Sequence, residues 1–322
     1  MYKKRAVIIK MRGKFFLDPV KTGKIIILLV LAIFILAGII FFQTFSGKRE
    51  NPDQFGLLDP ARKFYDKKDL IINLQPLRDE LNKIGENHDI SIYFEMLNTG
   101  ANIAINKDAE FWPASLLKVP VSMAVAKKIE KGEWKWSNEL VLMSSDKNER
   151  FGDLYKKPVG TRITIEELVR RALVDSDNTA NFMLVRNLEP AEFQDIYDHI
   201  GLTDFMSNDG KISAKHYSVM FRALYAASYL SEENSEKLLE FLAKTPFKEY
   251  LGSALPDNVI FSHKIGVSDD KNVFLDSGIV YAQRRPYLLT VMINTGDQEF
   301  AKQEMKKISE KIYNYVINYR EK

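Results

Sequence analysis

The pattern of apolar positions changes along the chain, and each change marks a region. Residues 25–42, IIILLVLAIFILAGIIFF, are apolar without a break. Roughly 20 such residues cross a bilayer as a helix, whereas the apolar core of a signal peptide is about 7–15 long. No small-x-small cleavage pattern follows directly, so an uncleaved transmembrane anchor over 25–43 is expected, with a cleaved signal as the alternative. Residues 46–67, SGKRENPDQFGLLDPARKFYDK, are polar and have no period; with two prolines they read as part of a linker over 44–67.

From residue 68 the pattern becomes that of a folded body. LIINLQPLRDELNKIG (70–85) has helical spacing. ISIYFEML and ANIAIN alternate around NTG, the signature of a β-hairpin. A long helical stretch follows. VSMAVAKKIEKG stops at Gly132, TIEELVRRALV opens with a Thr164-to-Glu167 capping box, and three further segments (190–201, 214–230, 231–244) keep the helical period. Strand patterns return in NVIFSHKIG, NVFLDSGIVYA and YLLTVMIN, and an amphipathic helix closes the chain over about 297–320. Strands at both ends of the chain with helices between them predict an α+β fold. One antiparallel sheet would be assembled from both chain ends beside an all-helical lobe, with a cleft at their join.

Charge changes the picture in one respect. The net +3 hides a basic tail: residues 1–24 hold eight Lys or Arg against Asp18 alone, leaving a mildly acidic remainder. Positive charge is retained on the cytoplasmic side. The tail over 1–24 is therefore expected in the cytoplasm, and the body over 68–322 outside the plasma membrane, as a single-pass protein. The acidic body has no electrostatic footprint for nucleic acid. There are no cysteines, which excludes disulfides and thiolate chemistry. The four histidines (88, 199, 216, 263) have no metal-ligand spacing and no Gly-rich phosphate loop is present, so neither metal nor cofactor is expected.

Against this background FWPASLLKVP (111–120) stands out, because Ser115 and Lys118 sit in an otherwise apolar run. On a helix, positions i and i+3 share a face. A lysine there loses solvation of its ammonium, its pKa falls, and it can deprotonate the serine to make a nucleophile. The plain alternative is a capping serine beside a surface lysine. Ser-x-x-Lys also occurs at 144/147 and 268/271, but in polar stretches that read as solvated loops. Pro120 lies a few residues into the run, so the turn is either tighter than an α-helix or the helix begins later. Ser176, Asp177 and Asn178 lie between two helical patterns, as helix caps or as a second hydroxyl and a carboxamide facing a substrate. Lys264-Ile265-Gly266 lies on a strand, as an exposed lysine or as a carboxylate anchor beside a glycine that lets an extended ligand approach.

Taken in order, the three motifs resemble those of class A β-lactamases and penicillin-binding proteins: Ser-x-x-Lys, Ser-Asp-Asn and Lys-Thr-Gly. The segments 93–121, 163–184 and 263–282 resemble the hairpin with nucleophile helix, the helix–loop–helix and the strand pair of that family, so the resemblance covers about 68–320. It implies a β-lactamase/transpeptidase-like fold and a membrane-anchored serine hydrolase acting on β-lactams or D-Ala-D-Ala peptides of the cell wall. Ser115 would be acylated and Lys118 would be its base. Ser176 and Asn178 would serve proton transfer and substrate binding, and Lys264 with Gly266 would hold the substrate carboxylate end. Backbone amides at Ser115 and near Val267 would form the oxyanion hole.

Two departures qualify the resemblance. Ile265 replaces the usual Thr or Ser, removing a hydroxyl. The segment after AEFQDIYDHIG, LTDFMSNDGK, lacks the glutamate loop that activates the deacylating water in class A enzymes; Asp204 and Asp209 are its only carboxylates. Acylation is thus expected and fast deacylation is not. A receptor that binds wall fragments or β-lactams without turnover is the alternative from another class.

Overall fold

The computed structural model describes residues 55–59, 66, 69–71, 73–86, 89–202 and 206–320, together with 30, 32, 33, 35 and 36. Most of the apolar run 25–42, and with it the expected anchor, lies outside the described residues. The five described there are helical and exposed. Among the described residues no helix is long and apolar enough to cross a membrane. The chain divides into two units, residues 1–54 and residues 55–322.

The second unit is built on five antiparallel strands. β1 (Ile90–Met96) and β2 (Asn102–Ile105) form the expected hairpin. β7 (Phe261–Ser268), β8 (Val273–Val280) and β9 (Tyr287–Asn294) come from the other end of the chain, and the spatial order is β2-β1-β9-β8-β7. The two chain ends meet where Phe94 on β1 pairs with Leu289 on β9. Side chains alternate across a strand, and here both faces are covered. Ile90, Ile92, Phe94 and Met96 face a core shared with α1 (Gln75–Gly85) and α8 (Gln298–Asn318). Tyr93 on the opposite face joins the core of the helical lobe.

That lobe centres on α2 (Lys118–Glu130), in which every residue from Lys118 to Ala126 is buried. A helix apolar on all sides is a buried helix. Around it pack α3 (Ile165–Val174), α4 (Asn178–Val185) and α5 (Pro190–His199). α6 (Ala214–Tyr225) and α7 (Glu232–Ala243) bridge to the sheet. Short ladders the periodicity did not reveal tie loops to the lobe: β3 (Glu110–Phe111) with β6 (Ile212–Ser213), and β4 (Glu139–Val141) with β5 (Arg162–Thr164). Segments of two or three residues are too short to show a period.

Three local expectations need amendment. Thr164 caps α3 through the Glu167 amide, but the Glu167 carboxylate turns away to Arg170 and Arg171, so only half of the capping box forms. Residues 55–59 are not free linker. Leu57 and Leu58 are buried, the Leu57 amide donates to the Glu236 carboxylate and its carbonyl accepts from the Tyr281 hydroxyl. The SSDK stretch is not a solvated loop, because Asp146 is 2% exposed and paired with Arg186 at 2.9 Å.

Candidate active site

The turn carrying Ser115 is a 3-10 segment, Ala114–Leu117, and α2 begins only at Lys118. Both ways of accommodating Pro120 are therefore realised: a tighter turn comes first, and Pro120 falls at the third α-helical position, where its missing amide has no intrahelical partner to lose. In a 3-10 turn, side chains at i and i+3 eclipse each other, which stacks Lys118 directly on Ser115. The turn is fixed from two sides. The buried Tyr217 hydroxyl donates to the Leu116 carbonyl at 2.8 Å, and a Cβ on Gly266 would stand 3.1 Å from the Pro113 carbonyl oxygen. The third motif's glycine thus allows β7 to approach the turn carrying Ser115, a contact only glycine fits without a shift.

The lysine amine sits between two lobes. Lys118 Nζ lies 2.7 Å from Ser115 Oγ, 2.7 Å from Asn178 Oδ1 and 3.4 Å from Ser176 Oγ. Lys264 Nζ donates to Ser176 Oγ at 2.9 Å from the sheet side. Lys118, Ser176 and Lys264 are each 3% exposed or less. Burial, reinforced by the second cation Lys264, pushes the Lys118 amine well below the usual lysine range. Burial likewise lowers Lys264 to about 7, partly offset by Asp276. Two buried lysines joined through one serine hydroxyl form a chain along which a proton can pass.

Backbone strain is placed beside the chemistry. Ala114, immediately before Ser115, has φ 45°, and Ser176 has φ 54°. Non-glycine residues rarely adopt this left-handed region, at a cost of about 1–3 kcal/mol. Asp177 holds the second motif in shape. One carboxylate oxygen caps α4 at the Ala180 amide, and the other accepts from the amides of Asp153 and Leu154. Helix capping and presentation of Ser176 and Asn178 are therefore achieved by the same loop.

Ile265 points away from the site. It lies in the core on the α1/α8 face, while Lys264 on the alternate face reaches Ser176. Val267 and Ser268 line the cleft over Ser115, which has a volume of about 260 Å³. Among the described residues lining it there is no carboxylate. Asp204 lies outside the described residues and Asp209 is exposed. A larger cavity of about 540 Å³ lies behind β7, but His263, its one histidine, is tied through Nδ1 to the Asp276 carboxylate at 2.8 Å. No nucleophile–base pair forms there, so cavity size does not locate the chemistry. Among the described residues no group of His, Asp and Glu is arranged to hold a metal.

The structure adds one residue to the sequence-derived set. Asn148 Oδ1 accepts from Asn178 Nδ2 at 3.0 Å and from the Arg150 amide at 3.1 Å. Asn178 has two chemically different ends, and this contact turns its oxygen toward Lys118 and its nitrogen away. A lone asparagine in a polar loop carries no sequence signal. Replacing Asn148 with Ala should lower the rate of Ser115 acylation roughly tenfold, the size of one lost hydrogen bond at a charged network. Stopped-flow acylation checks this, and an unchanged rate would remove Asn148 from the site. Two aromatics also stand at this cleft: Trp112 is 39% exposed and Phe182 42% exposed.

The lowered Lys264 pKa also has a stability consequence. An unfolded lysine keeps its proton up to the ordinary value of 10.5, whereas folded Lys264 releases it near 7. Between those limits the unfolded chain binds the extra proton, so stability rises with pH across that window, and below it the cost is full and constant. At about 1.4 kcal/mol per unit the cost is several kcal/mol. Lys264→Met should therefore denature at a higher temperature than the parent at pH 7, with the gap closing toward pH 10. A variant less stable at every pH would contradict this.

Known proteins share this fold. A family model described as the beta-lactamase enzyme family matches residues 76–316. The beta-lactamase VEB-1 of Pseudomonas aeruginosa is 24% identical over 195 residues, which cover 54% of this chain and 65% of that protein. The chain thus spans just under two thirds of that relative. The solved structure of PBP-A superposes with a TM-score of 0.69 at 20% identity, covering 76% of this chain and 97% of that one. A variant of PBP-A was solved as an acyl-enzyme complex with penicillin G, and superposes with a TM-score of 0.70 at the same identity, covering 76% of this chain and 98% of that one. A beta-lactamase from Sphaerobacter thermophilus gives 0.68 at 20% identity, covering 78% of this chain and all of that one. With an antiparallel five-stranded sheet, an all-helical lobe and a match over nearly the whole body, the chain belongs to the beta-lactamase enzyme family, a family of serine hydrolases.

Proposed function

We propose that the protein is a membrane-anchored extracytoplasmic acyl-transferring hydrolase that forms an ester on Ser115 with β-lactams or D-Ala-D-Ala peptides and releases it slowly. The observation that carries this is the contact set of Lys118. A neutral lysine has two N–H donors and one lone pair. The Asn178 oxygen can only accept, so it takes one N–H, and the lone pair is free for the Ser115 hydroxyl at 2.7 Å. As Ser115 Oγ attacks the carbonyl, Lys118 takes its proton, and backbone amides at Ser115 and Val267 hold the developing oxyanion. When the amide or lactam C–N bond breaks, the leaving nitrogen takes a proton from Ser176, which is replenished by Lys118 or Lys264. Water must then cleave the ester, and among the described residues lining the cleft there is no carboxylate to activate it.

Pre-steady-state kinetics with substrate in excess test this. Mixing the protein with a chromogenic cephalosporin should give a burst of about one product per site and then a steady rate far below the burst. Fast linear turnover without a burst would contradict slow deacylation. The same missing carboxylate favours a second reading, a receptor that is acylated once and reports occupancy; complete absence of a second turnover would select it.

The anchor reading rests on the apolar run 25–42 and the basic tail before it. The full chain is expected in the membrane fraction after carbonate extraction, and its release into the soluble fraction would contradict an uncleaved anchor.

A further inference from the structure

The far end of the cleft carries a charge pair that the acylation chemistry does not use. Arg150, on the loop held by Asn148, donates from Nη2 to the Asp270 carboxylate at 2.8 Å. Arg150 belongs to the helical lobe, whereas Asp270 lies in the turn joining β7 to β8, two residues beyond Ser268. The pair therefore spans the cleft mouth between the two lobes. Both side chains are mostly exposed, at 61% and 65%. Such a pair contributes little to stability, so exchanging it for other partners costs little. Among the described residues the remaining donors of Arg150 and the second oxygen of Asp270 have no partner.

The geometry points to a subsite for a zwitterionic amino-acid head group on the substrate's acyl side, its carboxylate taken by Arg150 and its ammonium by Asp270. This rests on the acyl-enzyme reading of Ser115. An extended substrate along the free edge of β7 has one end at Lys264, beside Ser176, and the other beyond Ser268. The first end is served by the buried lysines. At the other, Arg150 presents a planar fork of N–H donors that matches a carboxylate, and Asp270 stands beside it. Phe151 and Phe182 wall the cleft, and Trp112 has the Lys271 ammonium 5.5 Å from its ring centre, so the stem leading to the head group would be apolar. One bridging ion pair would become two charge-assisted contacts, and a group carrying only one charge would gain one and strand the partner of the other.

The test compares cephalosporin C, whose D-aminoadipyl side chain ends in an ammonium and a carboxylate, with its N-acetyl derivative. The full chain in detergent is used, and both second-order acylation and equilibrium binding to the Ser115→Ala protein are read. We expect a preference of roughly tenfold or more for the free amine. The ratio should fall to about one in Asp270→Asn, which loses the ammonium partner but leaves Arg150. In Arg150→Ala the affinity for both carboxylate side chains should drop. A ratio near one in the parent, or an unchanged ratio in Asp270→Asn, overturns the subsite. The binding arm separates the two claims. A preference in binding without any adduct on Ser115 would uphold the subsite and remove the acyl-enzyme reading, whereas an adduct without preference would do the reverse.

Discussion

Replacing Ser115 with Ala is expected to abolish acylation by benzylpenicillin, by about 10⁴-fold or more, because the bond-forming atom beside the Lys118 amine is removed. Ser176 also has its hydroxyl near the Lys118 amine, at 3.4 Å, but its Oγ accepts from Lys264 at 2.9 Å and it is 2% exposed at the base of the site, so it is poorly placed to attack a ligand carbonyl. Fluorescent penicillin labelling followed by gel separation checks this. Equilibrium affinity for the intact ligand should survive in Ser115→Ala, since the oxygen contributes to bond formation far more than to ground-state contact. Residual labelling near the parent level would place the nucleophile elsewhere.

Lys118→Arg should be nearly as damaging, with acylation falling roughly 10²–10⁴-fold, the usual worth of a positioned base. Arginine keeps a cation near Ser115 but cannot give up its proton. The parent's pH dependence follows from the same argument. Only the unprotonated Lys118 amine accepts the serine proton, so acylation is full above its pKa and is lost as pH falls through it. Burial and Lys264 hold that value well below 10.5. The acylation rate should therefore level off well below the pH at which an ordinary lysine loses its proton. A rate that keeps rising tenfold per pH unit up to about 10 would mean an ordinary solvated lysine and would falsify the desolvated base.

The sequence made the site partly legible, for physical reasons that differ by residue. Ser115 and Lys118 were readable because a hydroxyl and an amine interrupt an apolar run that becomes the buried helix α2. Lys264 was readable only through its order after the other motifs, since a single lysine on a strand is otherwise unremarked. The two-ended sheet followed from alternation in ISIYFEM and YLLTVMIN, whose pairing the register bears out. Asn148 and Arg150 were not readable, because a polar loop has no period and its function lies in contacts with residues 30 and 120 positions away. The docking of Leu57 and Leu58 was hidden for a similar reason. Two apolar residues in a polar stretch carry too little pattern, and their partners Glu236 and Tyr281 are distant in sequence. Phe182 shows the opposite limit: it sits in an apolar helix whose pattern is that of core, yet it is 42% exposed and opens onto the cleft.

The central claim is that Ser115 becomes a slowly released acyl ester. Time-resolved intact-mass spectrometry of the detergent-solubilised full chain with benzylpenicillin, followed by peptide mapping, tests it most directly. A single adduct of the drug's full mass is expected on the peptide containing Ser115, formed rapidly and persisting long after free drug is removed. An unmodified protein, or an adduct on any other residue, would contradict it.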